Sequence, residues 1–197
     1  KIRNTSRLFL GNLSSGSGFN PDTDMVSYDK LPEIDKWALM KLDSLIDKVN
    51  EGYNSFDFHI VLHSIHNFYV TDMSNFYIDI TKDRLYCDSE NSESRRAAQT
   101  VMYTVLSAVT RLIAPIISYT AEEIWAFMPH ISSDNTESVF LNDMPEKSGL
   151  EFTDDFTAKW DTIINAREEA NKVLEIKRNE KLIGKSLEAN VIVHCKD

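Results

Sequence analysis

Apolar residues recur at three- and four-residue spacing along most of the chain, which places them on one face of a helix. Ile2, Thr5, Leu8, Phe9 and Leu13 give a first helix with no capping residue before it. Ser14 to Gly18 reads as a Ser/Gly loop, and Asn20-Pro21-Asp22 reads as a turn. Pro32 opens a second helix with Ile34, Trp37, Ala38, Leu42, Leu45 and Val49 on one side, ending near Gly52. Two separate helices are predicted next, from about Ser55 to Thr71 and from about Ser74 to Cys87. After a polar loop over Ser89 to Ser94, a long helix carries Ala98, Val101, Val105 and Leu112 and stops at Pro115. Thr120 reads as the N-cap of a short helix through Ile124 and Trp125 to Pro129. Residues 130 to 151 read as a loop with one brief extended piece at Ser138 to Leu141, and a last helix runs from about Asp154 to Asn179.

Past Gly184 the period changes. Leu187-Glu188-Ala189-Asn190-Val191-Ile192-Val193 alternates as a strand does. The fold class is therefore mainly α, a helical bundle over residues 1–180, with a short β segment at the C-terminal end. Residues 181–197 read as a linker and the first strand of a truncated C-terminal subdomain. A lone strand leaves a costly unpaired edge, and the chain starts at Lys1 rather than Met, so both ends are expected to be cut ends of a larger protein.

With 197 residues, 42% of them hydrophobic, the chain is long enough for one substantial core. The longest apolar run, around Leu112 to Ile117, is interrupted by Pro115 and falls short of a membrane span, so no membrane partner is expected. Cys87 and Cys195 are too distant and too few for a disulfide framework or a zinc knuckle, which suits a cytoplasmic protein. The formal charge of -10 argues against general nucleic-acid binding, which depends on neutralising phosphates. The charge is uneven, however. Residues 1 to 13 carry three basic and no acidic groups, and residues 159 to 185 carry seven basic against five acidic. Any RNA contact is expected at these two ends and at isolated cations elsewhere.

Catalytic signatures are absent from the sequence: no GxSxG, P-loop, GxGxxG or HExxH occurs. Glu122-Glu123 and Asp154-Asp155 fall at predicted helix starts, where they stabilise the dipole without any chemistry. His59, His63 and His66 share one helical face within about 60°, opposite the apolar side. They read as a solvated or partner-facing stripe rather than a metal site, since no Cys or Glu completes a familiar zinc motif. Arg3 and Arg7 are one helical turn apart, with Lys1 and Asn4 adjacent. They form either an RNA edge, with guanidinium groups for phosphates and an amide for a base, or a solvated face with internal salt bridges. Arg167, Lys172, Lys177, Arg178, Lys181 and Lys185 form a second basic group, interleaved with glutamates, that suits an RNA groove or an ion-paired surface. In the segment from Phe76 to Cys87, the charges of Asp79, Lys82, Asp83 and Arg84 either pair locally or leave Arg84 and Tyr86 to reach a ligand.

Several of these segments resemble isoleucyl-tRNA synthetases of the bacterial type. Lys1 to Leu13 resembles the helix that follows their catalytic domain. Phe76-Tyr77-Ile78-Asp79 with Lys82-Asp83-Arg84-Leu85-Tyr86 is similar to the family's FYLDxxKDRLY stretch. Leu112 to Pro115 running into Thr120 to Trp125 resembles a region shared by class I synthetases for aliphatic amino acids, and Ile183 to Ala189 resembles the connection into the family's C-terminal part. The resemblance implies a helical bundle of the class I aminoacyl-tRNA synthetase anticodon-binding type, with an isoleucine tRNA anticodon stem-loop as partner. It implies Arg3 and Asn4 as RNA-binding residues, with Arg7 in support, and a core role for Trp125; Lys1, Arg84, Lys177, Arg178 and Lys181 join them as RNA-binding candidates from the charge pattern alone. The parent would be a monomeric, cytoplasmic ligase that attaches isoleucine to its tRNA, with ATP and Mg in its catalytic domain and Zn in other missing parts. This piece would carry no cofactor and no catalytic or editing site. The corresponding domain of a valyl-, leucyl- or methionyl-tRNA synthetase, or a helical interaction module without RNA, are the alternatives.

Overall fold

The computed structural model describes residues 1–14, 16 and 18–194. Part of the expected Ser14 to Gly18 loop, and Cys195, lie outside them. The chain forms two compact units, Lys1–Leu150 and Glu151–Asp197. In the first, α1 (Ile2–Leu13), α2 (Glu33–Asn54), α3 (Phe58–Asn67), α4 (Ile78–Tyr86), α5 (Glu93–Ile113) and α6 (Ser118–Phe127) make up the bundle. No described helix is long and apolar enough to cross a membrane.

α5 is the centre of the first unit. Its N-cap Ser92 accepts from the Arg95 amide, satisfying one of the free donors at a helix start. Between Arg96 and Ile113 it is buried on nearly every side, with α1, α2, α4 and α6 packed around it. Trp37, Leu39, Leu42 and Ile46 of α2, Phe9 and Leu13 of α1, and Trp125 of α6 fill the core against it. Trp125 is almost fully buried, its Nε1 donates to the Asn135 carbonyl at 3.0 Å, and the Arg111 guanidinium lies over its ring. Its role is core packing. Gly52 lets α3 turn back closely, since a Cβ there would stand 2.8 Å from Val61 Cγ2.

The two helices expected over residues 55–71 and 74–87 are one continuous helical run. Between α3 and α4 the backbone winds as a π-helix over Phe68–Tyr77, a form uncommon beyond single-turn bulges and often found at functional sites. It buries Phe68, Tyr69, Met73, Phe76 and Tyr77. Thr5 and Ser6 fasten α1 to this run through Ser74 Oγ at 3.0 Å and Tyr69 Oη at 3.4 Å.

Three other expectations are corrected. α6 starts at Ser118, so Thr120 sits in its first turn rather than at its cap. Ser138 to Leu141 is not an extended piece; Val139–Leu141 is a 3-10 turn, with Ser138 Oγ accepting from the Phe140 amide and Glu122 from the Val139 amide. The predicted C-terminal strand is also missing among the described residues: Ser186–Glu188 forms a 3-10 turn and residues 189–194 have no regular structure. A single alternating segment has no second strand to receive its hydrogen bonds.

The second unit is dominated by α7 (Asp154–Asn179). Thr153 caps it by accepting from the Phe156 amide, and Asp154 and Asp155 occupy its first turn. Phe152, Phe156 and Trp160 follow one another in ring contact along its start.

Candidate nucleic-acid interface

α1 buries Thr5, Ser6, Phe9 and Leu13. With 100° per residue, that choice turns Arg3, Asn4, Arg7 and Gly11 to the opposite, exposed side. Against that side α6 sets Glu123, Ile124 and Phe127, and a groove of about 550 Å³ opens between the two helices. Arg3, Asn4 and Arg7 line it together with Leu10 and Ser14. Three of the expected RNA-binding residues thus share one groove. Lys1 is exposed at the N-cap of the same helix.

The groove combines cationic and amide donors with an apolar wall. Ile124 lies in the wall, and the Phe127 ring is 72% exposed. Arg3 forms an ion pair with Glu123. Both partners are well exposed, so the pair is held in water and is weak. A phosphate or a base edge can displace such a carboxylate at little cost. Phe127 supplies a flat apolar face of the kind on which unstacked bases rest.

Glu122 and Glu123 correct their sequence reading. They are the fifth and sixth residues of α6, beyond its first turn, so the dipole does not account for them. Glu122 accepts from Ser138 Oγ at 2.5 Å and fastens the following loop, while Glu123 serves α1. Glu123, Ile124 and Phe127 are the groove residues that sequence reasoning missed. Their relation to α1 spans more than a hundred positions, and no local spacing carries it.

Arg84 is placed elsewhere. Its Nη1 and Nη2 donate to the two carboxylate oxygens of Asp35 at 3.0 and 2.7 Å, and its Nε and Nη2 donate to Ser94. Asp35 is fully buried and also accepts from Tyr77 Oη at 2.5 Å. Burial pushes the Tyr77 phenol well above its ordinary range, and the adjoining Asp35 charge pushes it further. This clamp joins α2, the π-helix, α4 and the start of α5. Arg84 is therefore a structural residue, with its donors turned inward rather than toward RNA. Asp79 and Lys82 pair locally at 3.1 Å, as the spacing suggested. Tyr86 is exposed, with Asn12 Nδ2 3.5 Å from its hydroxyl.

In the second unit, Lys177 pairs with Glu180 at 2.8 Å and Arg178 pairs with Glu175, both within one turn. Lys181 is exposed just past the helix end, in the left-handed region at φ 57°. These cations are on the surface and largely answered by their own neighbours. His59, His63 and His66 are all exposed on α3. Among the described residues no group of three His, Cys, Asp or Glu side chains is placed to hold a metal ion.

Comparison with known proteins adds a family to this geometry. Residues 35–193 match the family described as the anticodon-binding domain of tRNA ligase. The chain is 51% identical over its whole length to an isoleucine-tRNA ligase of Caldicellulosiruptor bescii, covering 21% of that protein. It is 46% identical to the isoleucine-tRNA ligases of Syntrophotalea carbinolica and Bacillus cereus, with 98% of this chain and 20% of each relative aligned. The chain thus spans about a fifth of the length of the curated relatives it matches. It belongs to the anticodon-binding domain family of tRNA ligases.

Proposed function

We propose that this chain holds the anticodon stem-loop of an isoleucine tRNA, as one part of an isoleucine-tRNA ligase. The observation that carries the reading is the α1/α6 groove, where Arg3, Asn4 and Arg7 stand beside the exposed Phe127 ring. Arginine forks take phosphates in bidentate geometry, the Asn4 amide offers a donor and an acceptor to a base edge, and Phe127 offers a stacking face. Lys1 adds charge at the groove's end, and Lys177, Arg178 and Lys181 add long-range attraction from the second unit.

Nothing in this arrangement activates a nucleophile, so the domain acts by positioning. Phosphate contacts set register, base contacts discriminate, and a distant catalytic part receives the acceptor end. That part would bind ATP and Mg and join isoleucine to the tRNA, Zn would belong to another part of the parent chain, and the parent would work as a cytoplasmic monomer. Residues 187–193 keep the alternation of a strand and would pair once a neighbouring strand is supplied.

The test is binding of the chain, and of an Arg3→Ala/Arg7→Ala variant, to an isoleucine tRNA anticodon stem-loop and to a scrambled-loop control at low salt. Preferential binding that is lost in the variant supports the reading. Absence of binding to either RNA overturns it in favour of a helical interaction module.

A further inference from the structure

A second concavity, of about 430 Å³, lies between α2, α3 and the π-helix. Lys41, Ser44 and Lys48 of α2, His63, Ser64 and Asn67 of α3, and Asp72 of the π-helix line it. The two lysines are not consumed internally. Lys41 lies over the face of Trp37, and among the described residues neither lysine has a carboxylate within ion-pair distance, Asp72 acting on both from farther off. The α2 acids near them in sequence are engaged: Asp43 accepts from Ser148 at 2.8 and 2.6 Å, and Asp47 pairs with Lys147. His63 Nδ1 stands 3.2 Å from the Asn67 amide nitrogen, and with Nδ1 accepting there the ring proton is on Nε2, which has no acceptor among the described residues.

Asp72 is the one acid of the concavity. It is half-buried, and burial raises its carboxyl above the ordinary range while Lys41 and Lys48 draw it back. Its oxygens have no donor among the described residues. An acceptor between two unspent cations is a poor place for a free inorganic anion, which the carboxylate repels. It suits a strand in which anionic groups alternate with hydroxyls. Lys41 and Lys48 are seven residues apart, about 10 Å along the helix axis, a span for two separate phosphates of a strand rather than one ion. The 2′-hydroxyl is the group by which a protein tells RNA from DNA, and it can donate to a carboxylate.

We infer that this concavity is a second RNA-backbone site, in which Lys41 and Lys48 take phosphates of the anticodon stem and Asp72 accepts a ribose 2′-hydroxyl between them. The inference rests on the tRNA reading above and extends it to a face built from α2, α3 and the π-helix. Ser64 and the His63 ring supply further donors around the strand. The contact is blind to base identity, because every group in it addresses the backbone.

The test measures binding of an anticodon stem-loop, and of the same stem carrying 2′-deoxy sugars, across a salt series. Wild type, Lys41→Ala/Lys48→Ala, Lys41→Arg/Lys48→Arg and Asp72→Ala are compared, with thermal melts to establish that each is folded. The alanine pair is expected to weaken binding to all loop sequences about tenfold and to flatten the log affinity versus log salt slope by about two, and the arginine pair to restore both. Asp72→Ala is expected to bring the ratio of RNA to 2′-deoxy affinity down toward one. If wild type binds the stem-loop while the folded alanine pair keeps its affinity and slope, the second site is overturned and the α1/α6 reading stands. Equal affinity of wild type for RNA and 2′-deoxy stems removes the role given to Asp72. If wild type binds no RNA at all, both readings fall together.

Discussion

Arg84 and Arg3 each hold a carboxylate, and their surroundings make the two pairs opposite in purpose. Arg84 grips a fully buried Asp35 with both terminal nitrogens, in a site shared with the Tyr77 hydroxyl and the Ser94 carbonyl. Arg3 meets Glu123 in water at the rim of an open groove. Removing one partner from the buried pair strands a charge in the interior, which is far costlier than the pair's net worth. In the exposed pair, water replaces whichever partner leaves. A cation in a basic-looking motif is thus available to RNA only if its present carboxylate can be given up cheaply, and burial of that carboxylate decides this more than sequence does.

The sharpest way to break the comparison is Arg84→Ala, expected to destabilise the first unit by about 3–5 kcal/mol as measured by denaturant unfolding. A loss near zero would mean that water reaches Asp35. Tyr77→Phe leaves the ion pair in place but takes one donor from Asp35, and should cost about 1–3 kcal/mol in the same measurement. Arg3→Ala should change unfolding free energy by no more than about 0.5 kcal/mol, so that any loss of RNA affinity reads as contact rather than unfolding. Glu123→Gln, the mildest change, keeps the side chain's shape and removes its charge. It should raise stem-loop affinity by roughly twofold, in line with the small worth of an exposed pair, in a binding isotherm at low salt.

The helices of the bundle were legible because burial of one face imposes the three-to-four spacing directly on the sequence. α2 and α5 follow it closely, with Trp37, Leu42, Leu45 and Val49 buried on one and Ala98, Val101, Val105 and Leu112 on the other. The π-helix was not legible, because its buried residues Phe68, Tyr69, Met73, Phe76 and Tyr77 recur at three and four residues as they would on an α-helix. The α1 half of the groove was visible from Arg3, Asn4 and Arg7, since they sit within one turn. Its α6 half and the partner of Arg84 depend on contacts between distant segments, Arg3 with Glu123 and Arg84 with Asp35. Local charge patterns show that a pair is needed without showing where it is.

The unbroken passage from α3 through the π-helix into α4 has a consequence for the length of the chain. A continuous rod transmits angular phase, and each α-helical residue advances it by about 100°. Deleting one residue of α3, between Phe58 and Asn67, would rotate all of α4 by about that angle relative to what precedes it, carrying Arg84 away from Asp35 and turning Leu85, now buried, outward. The loop between α6 and α7 has no such memory, because its ends are not coupled by winding. Sequence drift in this domain can therefore alter side chains along α3 and α4 while holding their number of residues fixed, and insertions and deletions belong in the loops.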